Sequence, residues 1–310
     1  MPELIGYLLT LDALFTWAAA SLVYKWGLRK TTEKAGLFFR LTCVSIGTFI
    51  FTLLFGNLFV MTELTVVERW NYIIACIISG LSVTLGDLSY YMALKRIDAS
   101  RAYPLVQLSL VFVYPFAFVL FGEIITPEIL IGAILILSSV FILSTKDKKS
   151  GSGNDTQIQG SEKLVSGVLF SIGAAFGWAL AILAFNQARI ITSGEVFMTN
   201  FLRVGFAWLT FLIVGIFKRE YFEGFKKENR KIRKYYIWIG IAGILSLGFA
   251  DSLYYKAAEI NTLVLTTTIT INTPMVQQIL SILILKEKFR KRFIIAVLLI
   301  IVGNYIILFL

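Results

Sequence analysis

The chain has no histidine and only two cysteines in 310 residues. The first absence excludes imidazole acid–base chemistry and histidine-based metal ligation. Cys43 and Cys76 both fall inside apolar segments, where a thiol behaves as a small hydrophobe, so neither a disulfide framework nor a zinc site is expected. Charge is scarce as well, at 15% of residues against 57% hydrophobic. Segments 129–144 and 293–310 carry no charged side chain except Arg292 beside the second. No Walker A sequence, no G-x-S-x-G and no paired Asp-rich motif for magnesium diphosphate is present, which excludes ATP hydrolysis within this chain and leaves no catalytic constellation. The N-terminal Met1, Pro2 and Glu3 offer no basic region ahead of the first apolar stretch, so that stretch reads as a retained span and not as a signal peptide.

What is there is apolar sequence in lengths that match a bilayer core, and such backbone is satisfied in lipid only as helix. Hydropathy, charge and Pro/Gly punctuation give ten candidate spans, expected at residues 4–28, 36–56, 70–94, 102–121, 127–145, 164–187, 196–217, 235–257, 262–285 and 293–310. The one hydrophilic internal stretch, 146–163, reads as a flexible linker between two five-span halves, 4–145 and 164–310. The fold class is therefore an all-α membrane protein.

The halves are related in sequence. Asp87, Tyr90, Tyr91 and Glu123 recur as Asp251, Tyr254, Tyr255 and Glu287, each shifted by 164 positions. Phe15 and Trp17 recur as Phe176 and Trp178, and Arg40 as Arg203, with shifts of 161 and 163. An odd number of spans per half turns the second half upside down relative to the first. Charge supports the inversion, because the odd-numbered loops hold 23 of the 29 Lys and Arg residues, eight of them between Lys218 and Lys234. That bias puts the odd loops in the cytoplasm and both termini outside, in a multi-pass protein of the cell membrane. It also accounts for the net charge of +10 without nucleic acid. The basic run at 218–234, with its interleaved aromatics, is read as a cytoplasmic loop ahead of an RNA patch or an interfacial segment on anionic lipid.

Asp87, Tyr90 and Tyr91 stand at i, i+3 and i+4 and share one helical face, as do Asp251, Tyr254 and Tyr255. An acid at a helix centre costs about 2.5–3.5 kcal/mol on insertion scales, against a gain of about 0.3–0.6 for each Leu or Ile. Both acids lie toward span ends, where hydrogen bonding near the headgroups is the competing account; duplication favours a cavity-lining or structural-charge role. Arg40 and Arg203 could snorkel. The sharper expectation pairs Arg40 with Asp87 and Arg203 with Asp251, one pair near each mouth of a central pathway. Asp12 has no counterpart, since Gly173 stands in its place, and it is a candidate for substrate or proton contact or for local bonding to Thr10 or Thr16. Gly173 and Gly177 form a small-xxx-small pair suited to close helix packing.

Span nine is rich in hydroxyls and amides, including Thr270, Asn272, Gln277 and Gln278, and contains Pro274. That proline is expected to free the carbonyl of residue 270 for a partner. Span four matches it with Pro104, Gln107, Ser109 and Pro115. The two are the expected pathway lining, with Trp17 and Trp178 either as its apolar walls or packed against lipid and the interface.

The stretch SYYMALKRIDASRAYPLVQLSLVFVYPFAFVLFGEIITPEILIGAILILSSVFIL, from Ser89, resembles the C-terminal part of an EamA domain, with its Ala-Leu-Lys, its small residues opening span four and its Gly-Glu before a Gly-containing last helix. The resemblance covers nearly the whole chain apart from the linker. It implies the drug/metabolite transporter superfamily, with ten helices as two inverted repeats and with export or exchange of small metabolites such as amino acids or drug-like compounds. The second half departs from the pattern at Lys286, where the first has Gly122, and in its Thr-rich span nine. A secondary transporter working by alternating access is thus expected, without cofactor or metal, as monomer or homodimer, with protons as a candidate coupling ion. Two other classes stand beside it. A membrane enzyme acting on lipid-linked substrates lacks its motifs here, and a receptor or scaffold would not need polar helices in both halves.

Overall fold

In a computed structural model that describes residues 2–97, 99–144, 154–285 and 292–309, the described regular structure is entirely helical. The main helices are α1 (Pro2–Leu28), α2 (Glu33–Phe55), α3 (Val66–Arg96), α4 (Ala99–Val106), α5 (Ser109–Phe121), α6 (Pro127–Ser144) and α7 (Asn154–Ile191). They are followed by α8 (Phe197–Phe217), α9 (Arg233–Asn261), α10 (Leu263–Thr270), α11 (Thr273–Leu285) and α12 (Arg292–Phe309). Several ends follow from local chemistry. The Ala35 N–H donates to the Thr32 hydroxyl at the start of α2, and a capping box of Thr65 and Glu68 opens α3. Gly122, at φ 66°, closes α5 in the left-handed conformation that glycine adopts without strain.

Six helices are long and apolar enough to cross a bilayer, and three shorter apolar stretches accompany them at Ser109–Phe121, Pro127–Ser139 and Ile294–Ile307. Spans four and nine are therefore not single helices. Each breaks in two, between Val106 and Ser109 and between Thr270 and Thr273, at positions that correspond under the 164-residue shift. Pro274 explains the second break differently from the expectation. It sits in the first turn of α11, where its missing N–H is harmless, and the Thr270 carbonyl accepts from the Thr273 hydroxyl at 2.5 Å. A further correction concerns the hydrophilic segment, since α7 begins at Asn154 and so takes in its second part. Residues 145–153 and Glu287 lie outside the described residues.

The halves interlock along their whole length. Helix α3 packs along α7, α1 along α9, α2 against α8 and α6 along α12. Exchanging the halves maps α1 on α9 onto α7 on α3 and returns the other two pairings to themselves. Close approach is bought by glycine at two crossings. A Cβ on Gly80 of α3 would stand 2.0 Å from the Arg203 carbonyl oxygen of α8, and one on Gly177 of α7 would stand 2.9 Å from the Ser82 carbonyl oxygen of α3. Its partner in the small-xxx-small pair, Gly173, meets only Ser89 Oγ at 3.8 Å. Outward faces are apolar, as lipid contact requires, with Leu8, Phe15, Leu54, Ile213 and Phe217 all more than half exposed.

Candidate functional site

A cavity of about 120 Å³ lies between the interlocked halves. Helices α1, α2, α3, α7, α8, α9 and α10 all contribute to its wall, together with the break between α4 and α5. Arg40 and Asp87 lie roughly 10–15 Å from the ends of α2 and α3 on the basic-loop side, while Arg203 and Asp251 lie about as far from the ends of α8 and α9 on the other side. Approaching from opposite faces, both pairs reach the same cavity. The expectation of two separate mouths is therefore corrected, because side chains from about one-third depth converge at the centre of a tightly packed bundle.

Each aspartate has two partners of different origin. Arg40 Nη1 donates to Asp87 Oδ2 at 2.6 Å, within the first half, and Trp178 Nε1 from the second half donates to Asp87 Oδ1 at 3.1 Å. In the other cluster Arg203 Nη2 donates to Asp251 Oδ2, and Trp17 Nε1 crosses from the first half to donate to Asp251 Oδ1 at 2.9 Å. Both carboxylates are thus shared between halves. Both ion pairs are nearly sealed from solvent, with side-chain exposures of 4% and 6% for Arg40 and Asp87 and of 1% and 14% for Arg203 and Asp251. A buried charge is tolerable only when paired and hydrogen-bonded, and these contacts meet that condition.

Aromatic rings complete the frame. The Arg40 guanidinium lies 4.8 Å from the Tyr24 ring centroid and 5.9 Å from that of Tyr91; Arg203 lies 4.6 Å from Phe185 and 5.6 Å from Tyr255. Trp178 packs on Tyr90 at 5.4 Å and Trp17 on Tyr254 at 5.3 Å, so the duplicated tyrosines brace the indoles that cross between halves. The Tyr254 hydroxyl is 2.6 Å from Thr267 Oγ1, and the Tyr24 hydroxyl 2.6 Å from Ser246 Oγ.

Of the residues singled out in the sequence, Trp17, Arg40, Asp87, Tyr90, Gln107, Trp178, Arg203, Asp251, Tyr254, Tyr255 and Thr270 line this cavity. Tyr91 is fully buried beside Arg40 and off the lining. Asp12 is not part of the site. It is exposed on the outer face of α1, beside exposed Leu8, Leu11 and Phe15, a side of the helix that the described residues leave uncovered. Asn272 is likewise placed elsewhere. It forms a reciprocal amide pair with Asn304 of α12, both bonds 2.8 Å, which ties the break between α10 and α11 to the last helix. Gln277 is wholly buried outside the cavity, with neither amide atom hydrogen-bonded among the described residues. The Glu123 carboxylate of the duplicated motif caps α10, accepting from the Leu263 and Val264 amides at 3.0 and 2.7 Å. Sequence reasoning missed Tyr24, Tyr103, Ser246 and Asn200. The 161-residue shift that relates Trp17 to Trp178 also sets Tyr24 opposite Phe185, which was a usable signal; Asn200 had none beyond standing three residues before Arg203.

A family model for EamA-like transporters matches the chain twice, over residues 4–145 and 165–309. The chain belongs to the EamA-like transporter family. It is a multi-pass membrane protein of a transporter family. An uncharacterized transporter of Archaeoglobus fulgidus is 30% identical over 184 residues, 59% of this chain and 59% of that protein. One from Clostridium kluyveri is 27% identical over 236 residues, 76% of this chain and 71% of the relative. The matched region thus spans about three-fifths of the first relative's length. A solved crystal structure superposes with a TM-score of 0.68 at 16% identity, covering 97% of this chain and 95% of that one, which is a likeness of fold. Each aspartate lies in one of the two matched regions and accepts a bond from a tryptophan of the other.

Proposed function

We propose that the protein is a secondary transporter, not an enzyme, that exports or exchanges small metabolites such as amino acids or drug-like compounds by alternating access. The chain would span the cell membrane ten times as two inverted five-helix repeats, with broken helices α4/α5 and α10/α11 counted as one span each and both termini on the face opposite the basic loops. The observation that supports this best is the central cavity in which each aspartate bonds an arginine of its own half and a tryptophan of the other. Such a junction links the halves exactly where a solute would sit, so rocking one half against the other alters the bonds around the solute. Trp17, Trp178, Tyr90, Tyr254, Gln107 and Thr270 are the proposed substrate contacts. A proton could enter the cycle only by releasing an aspartate from its arginine.

Liposomes containing the purified protein, loaded with and offered a panel of labelled amino acids and cationic drugs, test the reading. Counterflow of at least one solute, lost in Asp87→Asn, is expected. No flux of any solute by protein that remains folded would overturn it. Flux insensitive to an imposed pH gradient would remove protons from the mechanism, and an active cytoplasmic reporter on the C-terminus would reverse the orientation.

A further inference from the structure

The two carboxylates have matching partners, but the two arginines are anchored unequally. Asn200 of α8 is completely buried, and its Nδ2 donates toward the Leu247 carbonyl at 2.9 Å, the Gly248 carbonyl at 2.7 Å and Ser252 Oγ at 3.0 Å. Its Oδ1 accepts from Arg203 Nε at 2.8 Å. The carbonyls it reaches belong to Ile244–Ala250, a π-helical segment inside α9 immediately before Asp251. A π segment interrupts the ordinary i→i+4 ladder, and a side-chain amide that meets its carbonyls holds the distortion in place. Asn200 therefore clamps both ends of one pair, Arg203 through Nε and Asp251 through the segment that carries it.

The first half has no such clamp. The 163-residue shift that relates Arg40 to Arg203 sets Leu37 opposite Asn200, and Leu37 is fully buried and apolar. The α3 segment equivalent to the π segment, residues 80–86, is regular α-helix. Arg40 Nε has no hydrogen-bond partner among the described residues and rests against Gly243 of α9, where a Cβ would stand 3.2 Å from it. Among the described residues the guanidinium also lies over the rings of Tyr24 and Tyr91, and a ring face holds a cation without fixing its orientation.

We infer that Asn200 is a positioning residue that makes Arg203–Asp251 a fixed ion pair and leaves Arg40–Asp87 as the pair that rearranges when the halves move. The inference rests on the transport reading for its role in the cycle, while the difference in anchorage is measurable without any substrate. When the cavity opens, Arg203 and Asp251 travel as one body with α8 and α9, and Arg40 turns over its two rings.

The test is nuclear magnetic resonance of the arginine side chains in full-length protein labelled with ¹⁵N-arginine in detergent micelles, with signals assigned through Arg40→Lys and Arg203→Lys. The Arg203 Nε–H is expected to exchange with water on the order of tenfold more slowly than that of Arg40, because one is bonded and the other is not. In Asn200→Leu that difference should vanish, and in Leu37→Asn the Arg40 signal should slow toward that of Arg203. Equal exchange of the two Nε–H groups in the unmodified protein would overturn the inference, whether or not either variant folds. In liposomes, with a solute that the panel identifies, Leu37→Asn should lower the maximal rate several-fold with little change in half-saturation, and an unchanged rate would overturn the assignment of Arg40–Asp87 as the moving pair. Failure to find any transported solute would count against the transport reading alone, since the exchange rates stand without it.

Discussion

The clusters around Arg40–Asp87 and Arg203–Asp251 agree in the contacts of their carboxylates and differ in what holds their arginines. In both, an arginine of one half and an indole of the other converge on one carboxylate, and in both the arginine lies over two rings. Behind Arg203, Phe185 and Tyr255 stack at 3.6 Å and 10°, and Asn200 holds the guanidinium. Behind Arg40, Tyr24 and Tyr91 meet at 5.3 Å and 52°, and Leu37 replaces the amide. The two halves share what neutralises the charge and differ in what immobilises it. The physical reason is that an unpaired buried charge costs about 3–5 kcal/mol, whereas a loosely oriented one changes only how the site moves.

The strongest way to break the comparison is to remove one arginine. Arg40→Met and Arg203→Met should each cost about 3–5 kcal/mol by leaving a buried carboxylate unpaired, and Arg203→Met should cost more because Asn200 also loses its donor. Denaturant unfolding in detergent reads both values. The double variant Arg40→Met with Asp87→Asn should recover much of the loss, and no recovery would mean that the pair matters through packing instead. Next in size, Trp17→Phe and Trp178→Phe each delete a donor to a carboxylate, for about 1.5–3 kcal/mol. Equal losses would extend the equivalence of the clusters to their crossing bonds, and a clear inequality in unfolding midpoints would end it.

Two smaller changes sharpen the picture. Gly80→Ala drives a methyl into the α8 backbone, while Gly243→Ala meets first the Cγ of Arg40, a flexible side chain, at 2.5 Å. Overpacking should cost about 1–3 kcal/mol in each, and more in the first, where the obstacle is backbone, than in the second, where the methyl meets the Arg40 and Val44 side chains; melting temperatures rank them. Tyr24→Phe copies Phe185 into the first cluster and removes one hydroxyl contact, to Ser246, for about 0.5–1.5 kcal/mol. A shift in the unfolding midpoint larger than that would show that Tyr24 carries more than this bond.

Much of the site was legible because its symmetry is written in register. Arg40 and Asp87 are 47 residues apart and Arg203 and Asp251 are 48 apart, and a repeated pair of opposite charges in apolar helices has few alternatives to meeting. The indole bonds were not legible. They join residues 91 and 234 positions apart, across halves whose mutual placement no local pattern encodes. Asp12 shows a related limit, since hydropathy reports that an acid is in a span and says nothing of which side of the helix the bundle covers. The amides of span nine show another. Thr270 lines the cavity while Asn272, two residues on, turns away to bond Asn304, because the helix breaks between them and the facing changes with it.

Sequence by itself determined that this chain is a bundle of membrane helices with a duplicated plan and a matching arginine and aspartate in each half. Those features depend on composition, on the 3.6-residue period and on the constant shift between halves, all of which are local or repeated. Tertiary structure alone decided that both acids open onto one cavity, that each is completed by a tryptophan from the other half, and that only one pair is clamped. These depend on how the two halves pack, and side chains far apart in the chain become partners only when close helix contacts set them side by side.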